Sequence, residues 1–448
     1  MKVLIAGRGE IALRIIRACK DLGLETVAVY SEADAKSLHV ALADEALCIG
    51  KAHPQDSYLK IPAILSACEI TGADAIHPGY GFLSESSSFA SICESCGITF
   101  IGPNHKSISL LGDKANAKEI AKKVKCPIIL GSEGVVPDID SGLKIAKKLG
   151  FPVYIKAAGG GGGKGIRIAF SDNDFTKKFV SAQAEAGVVF NNSDVYLEKV
   201  IKNPRHIEVQ IVGDKFGNYV HLGERDCSIQ RRRQKLIEEA FSPKITPVIR
   251  KKIGQAAINV VKAAGYSSVG TVEFLLDENF NFYFMEVNTR IQVEHPITEE
   301  ISGIDLVKEQ IKIAQNKKLS YKQKDIFFKG HCFEFRINAE DPENNFSPSP
   351  GKLEQYFVPG GPNIRIDGAC YQGYEISPFY DSLIAKLIVK GKDRKEAIDT
   401  SKRALREFHI EGIKSTIQFY LQLLEDKKFV AGDYSVNYID EHFFKEKN

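Results

Sequence analysis

Glu286-Val-Asn-Thr-Arg-Ile-Gln-Val-Glu294 is the stretch of this chain richest in groups that could do chemistry. In an extended backbone alternate side chains share a face. That predicts Glu286, Asn288, Arg290, Gln292 and Glu294 on one side, with Val287, Thr289, Ile291 and Val293 on the other. Acid, amide, guanidinium, amide and acid in a row offer oxygen ligands for a divalent metal at one end and donors for a small oxyanion further along. A solvated edge strand with chance alternation is the alternative. Upstream, Val269–Leu276 reads as a strand, Asp277–Asn279 as a turn and Phe280–Met285 as the returning strand. This hairpin brings Glu273 close to Glu286, although a slip of one residue would send them to opposite faces. Two carboxylates with the amide oxygen of Asn288 suit Mg²⁺ or Mn²⁺, and magnesium usually shares the phosphates of its substrate.

Those phosphates need a cradle. Phe151–Ala158 reads as a strand, Gly159 to Gly163 are consecutive glycines, and Lys164-Gly165 leads into a second strand ending at Ala169. Backbone N–H groups of such a loop can close on phosphate oxygens. It is not a Walker A loop, because Ala158 takes the first glycine position and Gly165 replaces the Ser/Thr that would ligate magnesium. Strand–glycines–strand predicts a hairpin that folds down over a nucleotide, with Lys156 and Lys164 at hand; a plain flexible linker is the alternative. Val195–Ile201, around Glu198-Lys199, could present backbone groups to an adenine edge. Arg205–Ile211 alternates like a further strand, and Gly223–Lys235 is polar and cationic, followed by Glu238-Glu239.

The elements that must position these groups follow from the rest of the chain. Its 448 residues suggest about three domains, and 44% hydrophobic with 26% charged residues describe an ordinary globular protein. A net charge of +3 argues against a nucleic-acid binder, and Arg231–Arg233 is too short to make a basic patch. No apolar run reaches the ~18 residues a membrane span needs. Met1–Ala6 reads as a first strand rather than a signal peptide. Nine scattered cysteines without an export signal predict reduced thiols and a cytoplasmic protein. Cys93 and Cys96 lack the further ligands of a zinc site and read as helix residues.

Near the start, strand Lys2–Ala6, turn Gly7–Glu10 and a helix carrying Ile11, Ile15, Ile16, Cys19 and Leu22, stopped by Gly23, open a βα rhythm. Strands follow at Thr26–Tyr30, Ala73–His77 and Thr99–Ile101, predicting an open parallel sheet with helices on both faces. Gly7-x-Gly9-x-x-Ala12 with Glu32 also matches a dinucleotide fingerprint, the basis of a rival oxidoreductase reading. His77-Pro-Gly-Tyr-Gly-Phe-Leu-Ser-Glu85 reads as a ligand loop at the carboxyl edge of that sheet, or as an ordinary turn with a buried aromatic. From about Gly330 a third segment holds Glu334–Asp341, the proline-punctuated turn Phe346–Gly351, and short strands of which Leu383–Val389 is expected to be the last.

Five motifs in this order resemble biotin carboxylase, the ATP-grasp component of biotin-dependent carboxylases, over the full chain. They are His77–Glu85, Gly159–Gly165, Glu224-Arg-Asp-Cys-Ser-Ile-Gln230, Glu286–Pro296 and Arg336-Ile-Asn-Ala-Glu-Asp341. The resemblance implies an N-terminal Rossmann-like open parallel-sheet domain over 1–112, an ATP-grasp domain over 113–329 with a mobile lid at about 128–203, and a mixed α+β domain over 330–448. It implies ATP contacts at Lys114, Lys156, Gly162, Gly163, Glu198, Lys199, His206 and Gln230. Glu273, Glu286 and Asn288 would hold Mg²⁺ or Mn²⁺, two ions in all. Lys235, Arg290, Gln292 and the backbone at Val293 would hold bicarbonate, with Glu294 as the base, and Arg336 and Tyr80 would face biotin. Relatives often have His where this chain has Arg233, a position expected near the ribose; a guanidinium can still donate there. The implied chemistry is formation of carboxyphosphate, its breakdown to CO₂ and phosphate, and attack on CO₂ by the ureido nitrogen of biotin.

Biotin acceptor domains resemble one another in a Met-Lys-Met motif, and the methionines here are Met1 and Met285. The biotin is therefore expected on a separate carboxyl carrier protein, with carboxyltransferase subunits downstream, as in bacterial acetyl-CoA carboxylase and fatty acid synthesis. A two-subunit pyruvate carboxylase is the nearby alternative. A homodimer is expected from the resemblance, with Arg14 and Arg17 as candidate interface residues. Another ATP-grasp ligase would share the lid and metal carboxylates without needing Tyr80 or Arg336, and a nucleotide sensor would require broken metal ligands.

Overall fold

The computed structural model describes residues 1–157, 165–190 and 192–444. Contacts divide the chain into two units, one of residues 1–126, 205–274 and 286–448, the other of residues 127–204 and 275–285. Among the described residues no helix is long and apolar enough to cross a membrane.

The first unit opens with β1 (Lys2–Ile5), α1 (Gly9–Asp21), β2 (Glu25–Ser31), β3 (Glu45–Gly50), β4 (Ala75–His77) and β5 (Thr99–Phe100). The strands form a sheet in the order β3-β2-β1-β4-β5, and every neighbouring pair is parallel. The βα rhythm of the sequence predicts this sheet but misses β3, an edge strand in which Ile49 alone is buried and no alternation marks the run. Gly9 takes φ +64° at the strand-to-helix turn, a left-handed conformation that favours glycine. Helix α1 is buried on nearly every side, including Glu10 and Arg14. Arg14 pairs within the chain, 2.9 Å from Glu299 and 2.7 Å from Asp305. Arg8 grips Asp34 through two hydrogen bonds of 2.7 and 2.8 Å and lies over the ring of Tyr380. The turn thus serves as a tight connection whose charged side chains are committed to neighbours.

In the second unit β6 (Val153–Ala157), β7 (Ile166–Ala169) and β8 (Val195–Lys199) form an antiparallel sheet, β7-β6-β8. Its core joins Val153, Ile155, Val195 and Leu197 to Phe175 and Phe179. The two strands flanking the glycines pair as hairpin arms, with Lys156 opposite Ile166. Gly162 and Gly163 lie outside the described residues.

Six further strands of the first unit, with the β12–β13 hairpin, build an eight-stranded sheet. They are β9 (Arg205–Gly213), β10 (Tyr219–Arg231), β11 (Gln234–Ala240), β12 (Ser268–Leu276), β13 (Phe282–Asn288) and β14 (His331–Asn338), together with Ile364–Gly368 and Leu383–Gly391. The order is β13-β12-β9-β10-β11-β14, then Leu383–Gly391 and Ile364–Gly368. Every residue of β9 is buried, so its alternating polar side chains face a covered interior rather than water. Leu383–Gly391 is not the last strand, since His409–Glu411 pairs with Gln355–Phe357.

Candidate active site

The polar row does not form one extended ribbon. β13 ends at Asn288, and Glu294 is the N-cap of the helix His295–Ser302 with φ −80° and ψ 13°. Pro296 stands in that helix's first turn, where its missing N–H costs no hydrogen bond. The helix start therefore overrides the two-residue alternation. Thr289, Ile291, Gln292 and Glu294 are all buried, whichever face the alternation assigns them.

The turn nevertheless gathers the side chains. Asn288 Nδ2 donates to Glu273 Oε1 at 2.9 Å, and Gln292 Nε2 donates to the same oxygen at 3.2 Å. Arg290 spans both amides, reaching Gln292 Oε1 at 2.8 Å and Asn288 Oδ1 at 3.3 Å, and its Nε donates to Glu85 at 3.0 Å. Glu85 also accepts from the Thr289 N–H at 3.2 Å, so the His77–Glu85 loop braces this turn. Glu286 lies two residues before Asn288 on β13, hence on its face, and its carboxylate is 2.8 Å from Lys114.

Lys235, near the start of β11, ties the Glu294 end of the row to carboxylates on β9 and β12. Its Nζ lies 2.7 Å from Glu294 Oε1, 2.7 Å from Glu208 Oε2 and 3.3 Å from Glu273 Oε1. On β14, Arg336 donates from Nε to Glu238 at 2.7 Å and from Nη2 to Glu294 Oε2 at 3.0 Å. Arg225, fully buried, holds Glu208 and donates to Gln210 at 2.6 Å and Thr298 at 2.9 Å. Lys235, Arg336 and Arg225 thus face the carboxylates of Glu208, Glu238, Glu273 and Glu294. The carboxylates outnumber these cations, an excess of negative charge that a bound divalent cation would offset.

Burial would push the Glu294 carboxyl up, but Lys235, Arg336 and Arg225 outweigh it and hold it well below the usual carboxylate range. Glu273 is lowered for the same reason, by Lys235 and His206 against burial. His206 Nε2 lies 3.1 Å from Glu273 Oε2. Lys235 is raised well above its ordinary value, the surrounding thiol and carboxylates overcoming its desolvation. Glu238 moves the other way, raised to about 7 by burial despite Arg336.

Other residues singled out from the sequence lie as follows. Tyr80 donates its hydroxyl to Glu10. Gln230 on β10 is the direct partner of Lys235 on β11. Arg233 is exposed in the intervening turn, where Arg232 and Arg233 take φ +48° and +69°. Two-residue hairpin turns usually give such positions to Asn or Gly. In the second unit Lys156 pairs with Glu198, and Lys199 donates to the carbonyls of Gly150 and Phe151.

Among the described residues, His206, Glu208 and Glu273 bring donor atoms within 4.8 Å of one another, as do Glu208, Cys227 and Glu294. Glu273 belongs to the first group, and Glu286 with the Asn288 oxygen adds hard donors on the neighbouring strand. This oxygen-rich set fits a Mg²⁺ or Mn²⁺ ion. Glu208, Arg225 and Glu238 receive no role from the sequence, because charged residues on strands read as solvated. The polar alternation His206, Glu208, Gln210 is the available signal.

Three family models match successive parts of the chain: "Biotin carboxylase, N-terminal domain" over 1–108, "Carbamoyl-phosphate synthase L chain, ATP binding domain" over 113–322, and "Biotin carboxylase C-terminal domain" over 334–441. Biotin carboxylase 1 of Bacillus subtilis is 53% identical over 442 residues, 98% of each chain. The 2-oxoglutarate carboxylase small subunit of Hydrogenobacter thermophilus is 51% identical, over 98% of this chain and 93% of that one. A crystal structure of the biotin carboxylase domain dimer of the latter enzyme, with MgADP, ADP and bicarbonate, superposes with a TM-score of 0.92 at 51% identity, covering 98% and 97% of the two chains. With its parallel-sheet, ATP-binding and C-terminal parts all matched in order, this chain belongs to the biotin carboxylase family.

Proposed function

We propose that the protein carboxylates biotin at the expense of ATP, using bicarbonate and passing through carboxyphosphate. The observation that carries this is the Glu294 carboxylate, with Lys235 on one oxygen and Arg336 on the other. The base of the first half-reaction and the cation of the second are thereby neighbours.

In this reading Arg290, Gln292, Lys235 and the Val293 backbone hold bicarbonate, and the planar guanidinium of Arg290 suits a planar anion. Glu294, kept ionised by its cations, takes the bicarbonate proton as an oxygen of that anion attacks the γ-phosphorus of ATP and ADP leaves. Carboxyphosphate then separates into CO₂ and phosphate, the phosphate takes the proton on the N1′ of biotin, and the nitrogen bonds to CO₂. Arg336 opposes the charge that builds on the ureido oxygen, and Tyr80 lies beside the ring. Glu273, Glu286 and Asn288 would hold the metal, which when bound neutralises phosphate charge in a transfer that rests mainly on positioning and electrostatics. We assign Lys114, Lys156, Gly162, Gly163, Glu198, Lys199, His206, Gln230 and Arg233 to ATP.

The proposed domains are 1–112, 113–329 with a lid at about 128–203, and 330–448. Support comes from the spans of the family models and from the second unit at 127–204. We further propose a cytoplasmic homodimer acting on a biotin carboxyl carrier protein, with carboxyltransferase subunits using the product on acetyl-CoA. The related structure described as a dimer supports the first point. Relatives include subunits named for a 2-oxoglutarate carboxylase and a pyruvate carboxylase, so pyruvate is the competing choice. Incubating the protein with MgATP, labelled bicarbonate and free biotin tests the activity. Acid-labile label in carboxybiotin is the expected result, and ATP-dependent label in any other acceptor would contradict it.

A further inference from the structure

We propose that Lys386 and Glu10 form a buried strut that positions the Val293–Glu294 turn and ties it to Tyr80, making both positioning residues for bicarbonate. The inference rests on the anion site described above and adds residues to it.

Lys386 is fully buried in the strand Leu383–Gly391, directly opposite Arg336 on β14 and Asp367 on Ile364–Gly368. A buried lysine is rare unless paired, and one carboxylate would satisfy its charge. Here the Nζ lies 3.0 Å from Glu10 Oε1 and also donates to the main-chain oxygen of Val293 at 2.9 Å. Glu10 in turn accepts the Tyr80 hydroxyl, while its Oε2 is buried without a hydrogen-bond partner. Glu10 comes directly after the Gly7-x-Gly9 turn, which gives that motif a structural role in delivering a carboxylate to this lysine. Glu334, Asp367 and Arg336 are the other charges around Lys386 and Glu10.

The two carbonyls of the turn are then both fixed. Gln292 O lies 2.8 Å from the Nδ1 of His295, and Val293 O accepts from Lys386. The Val293 carbonyl shares its peptide plane with the Glu294 N–H, so the Lys386 bond sets the direction in which the Glu294 side chain leaves the turn, while the plane that carries the Val293 N–H is held through Gln292 O by His295. A buried ion pair is weak evidence of stabilisation, and an apolar pair of similar size would serve a purely structural role equally well. A hydrogen bond to the carbonyl beside the anion site is what an apolar pair would not provide.

The test uses the full chain and bicarbonate-dependent ATP hydrolysis. Glu10→Gln/Lys386→Met removes both charges together, so neither is left buried alone. The expected result is a folded protein whose KM for bicarbonate rises about fivefold or more, the scale of one positioning hydrogen bond, with the KM for ATP changed less than about twofold. Glu10→Asp keeps both charges but shortens the strut, and should raise the bicarbonate KM alone to a smaller extent even if the double variant does not fold. An unchanged bicarbonate KM in Glu10→Asp and in any folded double variant overturns the inference, as does a parallel change in both KM values. Arg290→Lys separates the two levels: if it raises the bicarbonate KM while the strut variants do not, the strut alone is wrong. If it also leaves that KM unchanged, the anion site itself is misplaced.

Discussion

Nη2 of Arg336 lies 3.0 Å from Oε2 of Glu294, while the other oxygen of that carboxylate faces Lys235 at 2.7 Å. Each oxygen of one buried carboxylate therefore has its own cation. The arrangement keeps Glu294 ionised and links the residue proposed for deprotonating bicarbonate to the one proposed for the biotin oxyanion.

Arg336→Ala separates the two half-reactions. Lys235 still holds Glu294 in the variant, so bicarbonate-dependent ATP hydrolysis should stay within about tenfold of the wild type. Biotin carboxylation should fall by about 10²–10³, as for loss of one oxyanion donor. Steady-state rates of ADP release and carboxybiotin formation read the two, and equal losses would show that Arg336 serves both steps.

Glu294→Gln, by contrast, should depress both activities together by at least about 10², the usual weight of a general base. The amide keeps the shape and loses the proton acceptor. A variant that turns over ATP normally in the presence of bicarbonate would place the base elsewhere.

The metal ligands are testable by titration. Glu286→Gln should shift the free Mg²⁺ giving half-maximal ATP turnover upward by about tenfold, since one hard anionic ligand is lost. Glu273→Gln should do the same and also lower stability, because His206 loses its charged partner and Lys235 loses one of three. Superimposable Mg²⁺ curves for wild type and both variants would remove these residues from the metal site.

Acid should destabilise the protein through its buried histidines. Burial pushes His39 and His221 down to about 4 and His77 down to about 3, and holds His295 well below its ordinary value. Their folded pKa values lie below the unfolded value of about 6.5, so the unfolded chain takes up protons first. Stability is therefore full above about 6.5 and is lost as pH falls towards 4, by on the order of 3 kcal/mol for His39 alone. Urea midpoints at pH 7 and pH 5 check this, and identical midpoints would show these rings to be solvated or paired.

Much of this architecture is legible in the residues, and what is not has a physical reason. The βα rhythm yields the parallel sheet because its central strands are continuous apolar runs; β3 escapes because an exposed edge carries no such pattern. Glu273, Asn288, Arg290, Gln292 and Glu294 do converge, but through a strand, a turn and a helix start rather than through one ribbon. His295-Pro296 marks that start, and the alternation of residues 286–294 conceals it. The roles of Glu208, Arg225 and Glu238 are hidden because a charge on a strand normally faces water, whereas here both faces of the sheet are covered. Lys386 has no local signal at all. Its role depends on meeting Glu10 and Val293, which are distant in the chain.

The most direct measurement is the rate of ATP hydrolysis by purified protein with Mg²⁺, in CO₂-depleted buffer and then with bicarbonate restored. An increase of at least about tenfold on adding bicarbonate is expected, largely lost in Glu294→Gln. A rate that is the same with and without bicarbonate would contradict it.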